Sequence, residues 1–170
     1  MHIQQVVDVA LRLLNERGLP DLSMRRVAAA LEVQPSALYW HVSSKQHLLG
    51  LVADRILDSC LQLDDVADQL EALRGVLLDH CDGAELVASS IALGMGGARL
   101  RDMLATSAAQ VPAEARPAVV EASALLLLGS TQLEQQRAQA AAIGVAMGNE
   151  HEAPKLRDLA QLILVGASQL

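Results

Sequence analysis

Side chains suited to contacting the polar edges of another molecule are concentrated in residues 22–49, LSMRRVAAALEVQPSALYWHVSSKQHLL. The chain has one Tyr, one Trp and no Phe, and these two aromatics are the neighbours Tyr39 and Trp40. His41 follows them directly, and Lys45 lies four residues further on. Rings, hydroxyl, imidazole and ammonium groups can contact bases, sugars and phosphates. Packing alone rarely collects both aromatics on one short helix, so the pattern favours surface recognition.

Two short helices joined by a tight turn are expected to position these side chains. Ser23 is a good N-cap for a helix over 24–31, and Pro35 suits the first turn of a helix that runs to about Val42. In a helix-turn-helix that binds DNA, the exposed N-terminal end of the second helix reaches base edges in the major groove. The residues at that end are Gln34, Ser36 and Ala37. The alternative is a three-helix cap whose aromatics fill gaps in a core, and the pattern alone leaves it open.

Helical periodicity dominates the rest of the chain, and no alternating run of β-branched residues supports a sheet. We therefore expect an all-α fold of about nine or ten helices. A three-helix head over residues 1–47 precedes a helical body over 48–170. The helices predicted in the body cover 45–61, 66–81, 84–93, 98–110, 118–137 and 155–170, with a break across 144–154.

Charge is distributed unevenly between these two parts. The formal net charge is −7 at pH 7, but residues 1–47 carry five Lys and Arg against four Asp and Glu. The acidic excess therefore lies in residues 48–170. An acidic body is a poor nonspecific binder of nucleic acid, whereas a neutral-to-basic head can bind DNA, because phosphate attraction acts over about a Debye length.

Apolar residues are abundant, with 52% hydrophobic and 19% charged residues and a mean hydropathy of +0.28. This balance indicates that a partner covers some apolar surface. The sequence has no run of about 18 apolar residues and no signal-peptide pattern, so we expect a cytoplasmic protein that does not contact a membrane. Cys60 and Cys81 are expected to be buried free thiols, with a disulfide or redox switch as the alternative.

Enzymatic chemistry is not favoured by the remaining motifs. In Asp79-His80-Cys81-Asp82, consecutive side chains on a helix point about 100° apart and cannot form a nucleophile–base pair. A zinc site would need more ligands at suitable spacing. The glycines of residues 94–97 follow a helix and lack the spacing of a nucleotide-binding loop. We therefore expect no catalytic residue, no bound metal and no cofactor.

The segment at residues 22–49 resembles the DNA-binding module of the tetracycline-repressor (TetR) family. The most specific string is LYWHV, which is followed after two further residues by Lys45. The resemblance covers residues 3–60, continues more weakly at 77–88 and 125–136, and fades after about 137. It implies DNA contacts from Ser23, Arg25, Gln34, Ser36, Ala37, Tyr39, Trp40, His41 and Lys45.

One residue departs from the family pattern. Glu32 stands in the turn where the family usually has glycine. Either Glu32 accepts a positive φ at some cost in free energy, or the turn differs slightly. Its negative charge near DNA would weaken binding or increase its salt dependence.

The resemblance also implies that the body dimerises through a four-helix bundle, built from the segments 118–136 and 155–170 of each chain. Small residues in these segments allow close approach and the aliphatic ones supply apolar area. The residues expected at this interface are Ala122, Leu125, Gly129, Leu159, Leu162, Ile163 and Gly166. The alternative is that the same stripes form the core of a monomer.

Family members also bind a small molecule in the body, which changes the spacing of the two heads. The pocket residues expected here are Leu86, Val87, Ser90, Met95, Met103, Leu104, Thr106, Ser107, Leu126, Thr131 and Glu134. In the tetracycline-binding subgroup a His and a Glu help to hold a magnesium–drug chelate. The resemblance puts Val87 in place of that His and matches Glu134 to the Glu, so tetracycline binding is not expected.

Without aromatic stacking, the expected effector is uncharged or weakly acidic and mostly apolar. The pocket residues also fit a plain core. Two hypotheses follow for the whole chain. One is a dimeric repressor that binds double-stranded operator DNA and is released by a small apolar effector. The other is a non-enzymatic helical binding or adaptor protein that keeps the head but has lost operator affinity.

Overall fold

Nine α-helices make up the part of the chain that the computed structural model describes, which is residues 2–145, 148 and 154–169. These helices are α1 Ile3–Arg17, α2 Met24–Ala30, α3 Pro35–Leu38, α4 Lys45–Leu57, α5 Val66–Leu78, α6 Gly83–Ala92, α7 Ala98–Ser107, α8 Arg116–Ala142 and α9 Leu156–Ala167. The all-α prediction is confirmed. No helix within the described ranges is long and apolar enough to cross a membrane.

The head is formed by α1, α2 and α3, with the first part of α4 packed against them. α1 ends at Gly18, whose N–H donates to the Leu14 carbonyl at 2.8 Å and whose φ is +78°. The Ser23 hydroxyl caps α2 by accepting from Arg26 N at 3.3 Å, as its residue type predicts. The buried side chains of the head are Val6, Val7, Ala10, Leu14, Leu22, Met24, Val27, Ala28, Leu38, Val42 and Leu48.

α4 connects the head to the body because it packs against both α1 and α6. Its Gly50 touches the loop between α6 and α7 so closely that an added Cβ would lie 2.0 Å from the Met95 carbonyl oxygen. A carboxylate oxygen of Asp54 accepts a hydrogen bond from Gly97 N at 2.7 Å in the same loop. α4 ends at Leu57, four residues before the predicted end.

The body consists of α5–α9, with leucines supplying most of its core. α9 packs on α5 and α8, and α6 lies between α4 and α8. α8 is longer than predicted at both ends. Pro117 lies in its first turn, where no backbone N–H is needed, and the Ala-rich end continues to Ala142 because alanine is the strongest helix former.

Several other predicted helices also end earlier in the structure: α5 ends at Leu78 instead of residue 81, and α7 ends at Ser107 instead of residue 110. α3 stops at Leu38 instead of about Val42, and α9 stops at Ala167 instead of residue 170. Gly144, with φ +76°, follows α8 as the predicted break requires. Residues 146–147, 149–153 and 170 lie outside the described part, so the rest of that break and the last predicted residue of α9 are not compared.

Candidate nucleic-acid interface

The aromatic pair lies at the surface of the head. Tyr39 is 55% exposed and Trp40 is 89% exposed, whereas their neighbours Leu38 and Val42 are fully buried. α3 ends before them, but the N–H groups of His41 and Val42 both donate to the Leu38 carbonyl at 2.9 Å, so a helical turn continues to Val42. The buried pair anchors this turn, and the anchored turn holds the two aromatic rings outward.

The N-terminal end of α3 also faces solvent. Gln34 is its N-cap and is exposed, Ser36 is exposed, and Ala37 is half-buried. Pro35 occupies the first helical position and fixes the backbone there. The end of α3 therefore presents one amide, one hydroxyl and one methyl group on a rigid turn, which are groups that can contact base edges.

Two more segments flank α3. On the α2 side, Ser23 is occupied as a cap, Arg25 is exposed, and Arg26 pairs with Asp21 at 3.1 Å. Of the two arginines, Arg25 is thus the one whose side chain is not held in that ion pair.

On the other side, α4 begins with a rigid cap. Ser44 Oγ accepts from His47 N at 3.0 Å, and His47 Nδ1 accepts from Ser43 N at 3.2 Å. Lys45 is the first helical residue and is half-buried, and its positive charge adds to that of a helix N-terminus, which favours anions. Sequence reasoning missed Ser43 and His47. The spacing of His47, three residues after the N-cap, was the available signal.

Glu32 adopts the first of the two conformations considered for it. Its φ is +57°, and the end of α2 closes with Val33 N donating to the Ala28 carbonyl at 3.0 Å and Glu32 N donating to the Ala29 carbonyl at 3.1 Å. This is a Schellman motif, in which the left-handed position usually holds glycine. The turn therefore has the geometry that is usual with glycine, and the Cβ of Glu32 is sterically strained in the left-handed region.

The residues expected to line an effector pocket are divided between interior and surface. Leu86, Val87, Met103 and Leu104 are buried in the body, and Leu126 is half-buried. Met95 and Thr106 are exposed, so the structure does not place them in an interior pocket. Both lie at or near the ends of α6 and α7, where the chain leaves the core.

Three buried hydroxyl groups in the body have no hydrogen-bond partner among the described residues. They belong to Ser90, Ser123 and Thr131. A buried polar group without a partner is costly, and such groups mark sites that a water or ligand completes. Ser90 and Thr131 were predicted from the sequence as polar points of the pocket, whereas Ser123 was not.

Ser107 and Glu134 are already engaged by protein groups. Ser107 Oγ donates to the Leu63 carbonyl at 2.6 Å and belongs to a buried network around Gln69. Glu134 forms a two-pronged ion pair with Arg74, with 2.7 Å between Arg74 Nη2 and Glu134 Oε1. The predicted ligand role of Glu134 therefore competes with a strong internal partner.

The residues expected at a dimer interface form an exposed apolar face on α8 and α9, which we call the α8–α9 face. Leu125 is 64% exposed and Leu162 is 69% exposed. Gly129 and Gly166 are exposed, and Ala122, Leu159 and Ile163 are half-buried. Val165, in the aliphatic stretch of α9 expected to supply apolar area, is also exposed, and so is Leu133 on α8, which the sequence prediction omitted.

Comparisons with known proteins match this arrangement. Residues 6–52 match the family model described as bacterial regulatory proteins, tetR family. The tetracycline repressor protein class E of Escherichia coli is 32% identical over 96 residues, which are 51% of this chain and 46% of that protein. The chain thus spans less than half the length of this curated relative.

Two solved structures resemble the chain over almost its whole length. The crystal structure of Mycobacterium smegmatis BioQ is 35% identical and covers 99% of this chain and 98% of its own, with a TM-score of 0.88. The crystal structure of BioQ with its double-stranded DNA operator is 32% identical and covers 100% of this chain and 99% of its own, with a TM-score of 0.85.

Proposed function

Because the chain belongs to the TetR family of bacterial regulatory proteins, we propose that it is a dimeric, ligand-responsive transcriptional repressor. Residues 1–47 bind double-stranded operator DNA, and residues 48–170 dimerise and bind a small effector that releases the DNA. The family consists of DNA-binding regulators and not of enzymes. Its members' use of operator DNA supports the first part of the proposal, since BioQ is seen with its operator at 32% identity.

The observation that carries the proposal is the exposure of Trp40. An indole that is 89% exposed adds little to the stability of the head, so its position needs another explanation. It follows the exposed Tyr39 after the C-terminal end of α3, and Gln34 and Ser36 lie exposed at the N-terminal end of the same helix. In this arrangement Gln34, Ser36 and Ala37 read base edges, while Ser23, Arg25, Tyr39, Trp40, His41 and Lys45 hold the backbone.

The α8–α9 face supports the dimer. Long aliphatic side chains and glycines on two adjacent helices fit a four-helix bundle with a second copy, because the glycines let the helices approach and the leucines supply buried area. A two-fold dimer would present two α3 helices to two half-sites of one operator.

The unpartnered hydroxyls support an effector site in the body. Ser90 and Thr131 lie on α6 and α8, which pack together, and Leu86, Val87, Met103 and Leu104 are buried in the core of the same body. A mostly apolar ligand with one or two hydrogen-bonding groups matches this lining better than a flat cation does. In this proposal, Leu126 and Ser107 lie at the margin of the effector site.

A gel shift tests the function. The protein is mixed with the DNA upstream of its own gene and with a scrambled duplex, at two salt concentrations. A sequence-specific complex that survives the higher salt supports the repressor. Uniform weak binding, or none, would instead support a helical adaptor that has lost operator affinity.

The division of contacts has its own test. Tyr39→Ala and Lys45→Ala are expected to weaken binding to specific and scrambled DNA alike, because these side chains contact the DNA backbone. Gln34→Ala is expected to change base preference. Equal losses on both duplexes for all three variants would refute the division.

A further inference from the structure

The head contacts the body at a second place besides α4, and the carboxylate of Asp82 is central to this contact. Asp82, between α5 and α6, lies beside the turn that follows α1. Its Oδ2 accepts a hydrogen bond from Leu19 N at 2.7 Å, and its Oδ1 accepts one from the side-chain amide of Gln139 on α8. A single side chain thus bonds to the head and to α8 while it stands at the N-cap position of α6.

The backbone of Asp82 is held in an unfavourable conformation. Its φ is +55°, in the left-handed region, where a side chain is strained although Asp tolerates it better than most residues. Such conformations persist where the surroundings fix them. Gly18 in the head permits the approach, because a Cβ there would lie 2.9 Å from Asp82 Oδ2.

Neighbouring residues strengthen the same contact. Asn15 at the end of α1 accepts from Cys81 N at 3.3 Å, and its amide group lies 3.2 Å from His80 Nδ1. Burial lowers the pKa of His80, and its Nδ1 lies at the same distance, 3.2 Å, from the amide oxygen of Asn15 as from the amide nitrogen. The head is therefore bonded to three consecutive residues of the α5–α6 turn.

The turn itself is fixed to the body by Gln135, which is buried. Its Nε2 donates to the Leu77 carbonyl at 3.0 Å and to the His80 carbonyl at 2.8 Å, and its Oε1 accepts from Ala84 N at 3.1 Å. A shift of α8 or of the N-terminus of α6 would therefore be transmitted to the turn. Through Asp82 it would also reach the head.

Two attachments constrain the head more than one does. If α4 were the only connection, the head could rotate about the contact that Gly50 and Asp54 of α4 make with the loop between α6 and α7. A second contact at the far end of α1 removes that freedom. We propose that Asp82 is a positioning residue, which fixes the angle of the DNA-binding head on the body and so the spacing of the two heads in the dimer. The consequence for DNA spacing rests on the proposed function, whereas the contact itself does not.

Three variants separate this role from folding. Asp82→Gly removes both acceptor oxygens but suits the positive φ, so it relieves backbone strain instead of adding it. Asp82→Asn keeps a carbonyl oxygen that can accept from Leu19 N and also tolerates the left-handed region. Asp79→Asn, three residues earlier at the exposed end of α5, makes the same change in net charge at a side chain that forms none of the hydrogen bonds described above.

The first measurement is spacing preference. Affinity is determined for the protected site found upstream of the gene and for versions with two base pairs inserted between its half-sites. We expect Asp82→Gly to reduce the ratio of these affinities about tenfold, with Asp82→Asn and Asp79→Asn close to wild type. A variant that is merely less stable would lose affinity for both duplexes and keep the ratio. An unchanged ratio in folded Asp82→Gly would overturn the proposal.

The second measurement needs no DNA. The amide proton of Leu19, observed by ¹⁵N-correlated NMR, is expected to be protected from exchange in the wild type and in Asp82→Asn. Asp82→Gly should lose that protection while Leu14, in the middle of the head core, keeps it. Protection of Leu19 in Asp82→Gly would refute the contact. If wild type binds no DNA but shows this pattern, the proposed function fails and the positioning contact stands.

Discussion

Two exposed apolar surfaces at different places in the molecule differ in chemistry. On the head, the exposed side chains are the two aromatics of the chain, with hydroxyl, amide and cationic groups around them. On the α8–α9 face they are leucine and valine, with glycines between them. Neither surface is covered by another segment among the residues that the structure describes.

The difference indicates two kinds of partner. An aromatic ring among polar groups can stack on or contact sugars and bases and still be solvated when free. Aliphatic side chains with glycines gain free energy only when another apolar surface covers them, and the glycines let a helix approach. The head is therefore suited to nucleic acid and the α8–α9 face to a second copy of the chain.

The largest effect is expected at the α8–α9 face. Leu162→Glu would place a carboxylate in the apolar centre of the dimer and weaken dimerisation by about 100-fold or more. Sedimentation velocity across a range of concentrations measures this. Leu61→Glu is the matched control, because Leu61 is 78% exposed but lies in the loop between α4 and α5. If the two variants sediment alike, the α8–α9 face would not differ from other exposed leucines in its effect on dimerisation.

The next effect concerns the junction between the two regions. Gly50→Ala would place a Cβ 2.0 Å from the Met95 carbonyl oxygen and is expected to lower the free energy of unfolding by about 2–3 kcal/mol. Gly75→Ala, in the middle of α5 with no atom within 4 Å of the new Cβ, should instead raise it by about 0.5–1 kcal/mol. Urea denaturation compares them, and a loss shared by both variants would contradict the steric explanation.

On the head, Trp40→Ala is expected to leave the free energy of unfolding within about 0.5 kcal/mol of wild type. Operator affinity should fall about tenfold, because an exposed ring loses contacts only in the complex. Leu38→Ala provides the contrast, since truncating a fully buried leucine two residues away should cost about 2–4 kcal/mol of stability. A large loss of stability in Trp40→Ala would indicate that the ring packs in the core of the head.

The smallest effect is expected at the turn before α3. Glu32→Gly relieves the left-handed backbone and should raise the free energy of unfolding by about 0.5–1 kcal/mol. Glu32→Asn removes the same charge and tolerates the same φ. A thermal melt reports the backbone effect, and titration with DNA at low salt reports the charge. Destabilisation by glycine would mean that the Glu32 side chain stabilises the turn.

Much of this architecture follows from the sequence. The residue types at Ser23, Pro35 and Ser44 predict helix starts, and Gly18 predicts a helix end, since caps and breakers act locally. The exposed aliphatic residues of the α8–α9 face were also predicted, but from the family resemblance and not from periodicity. On α8 the opposite side is apolar and buried as well, so a single apolar stripe does not stand out in its sequence.

Other features depend on contacts between distant residues. α8 was predicted to begin at residue 118, after Pro117, whereas Pro117 lies in its first turn, because proline is compatible with either position. Asp82 resembled part of an unproductive catalytic motif, and its bond to Leu19, 63 residues away, could be found only from the fold. The same holds for the ion pair of Glu134 with Arg74. Long-range polar partners leave no local signal in a sequence.

The mass of the protein–DNA complex tests most directly whether a dimer of this chain binds one operator site. The protein is mixed with a duplex that contains one protected site, and the complex is weighed by light scattering after size-exclusion chromatography. We expect two chains on one duplex, with the complex lost in Leu162→Glu and weakened in Trp40→Ala. A complex with one chain per duplex, or a stable dimer that binds no DNA, would contradict this expectation.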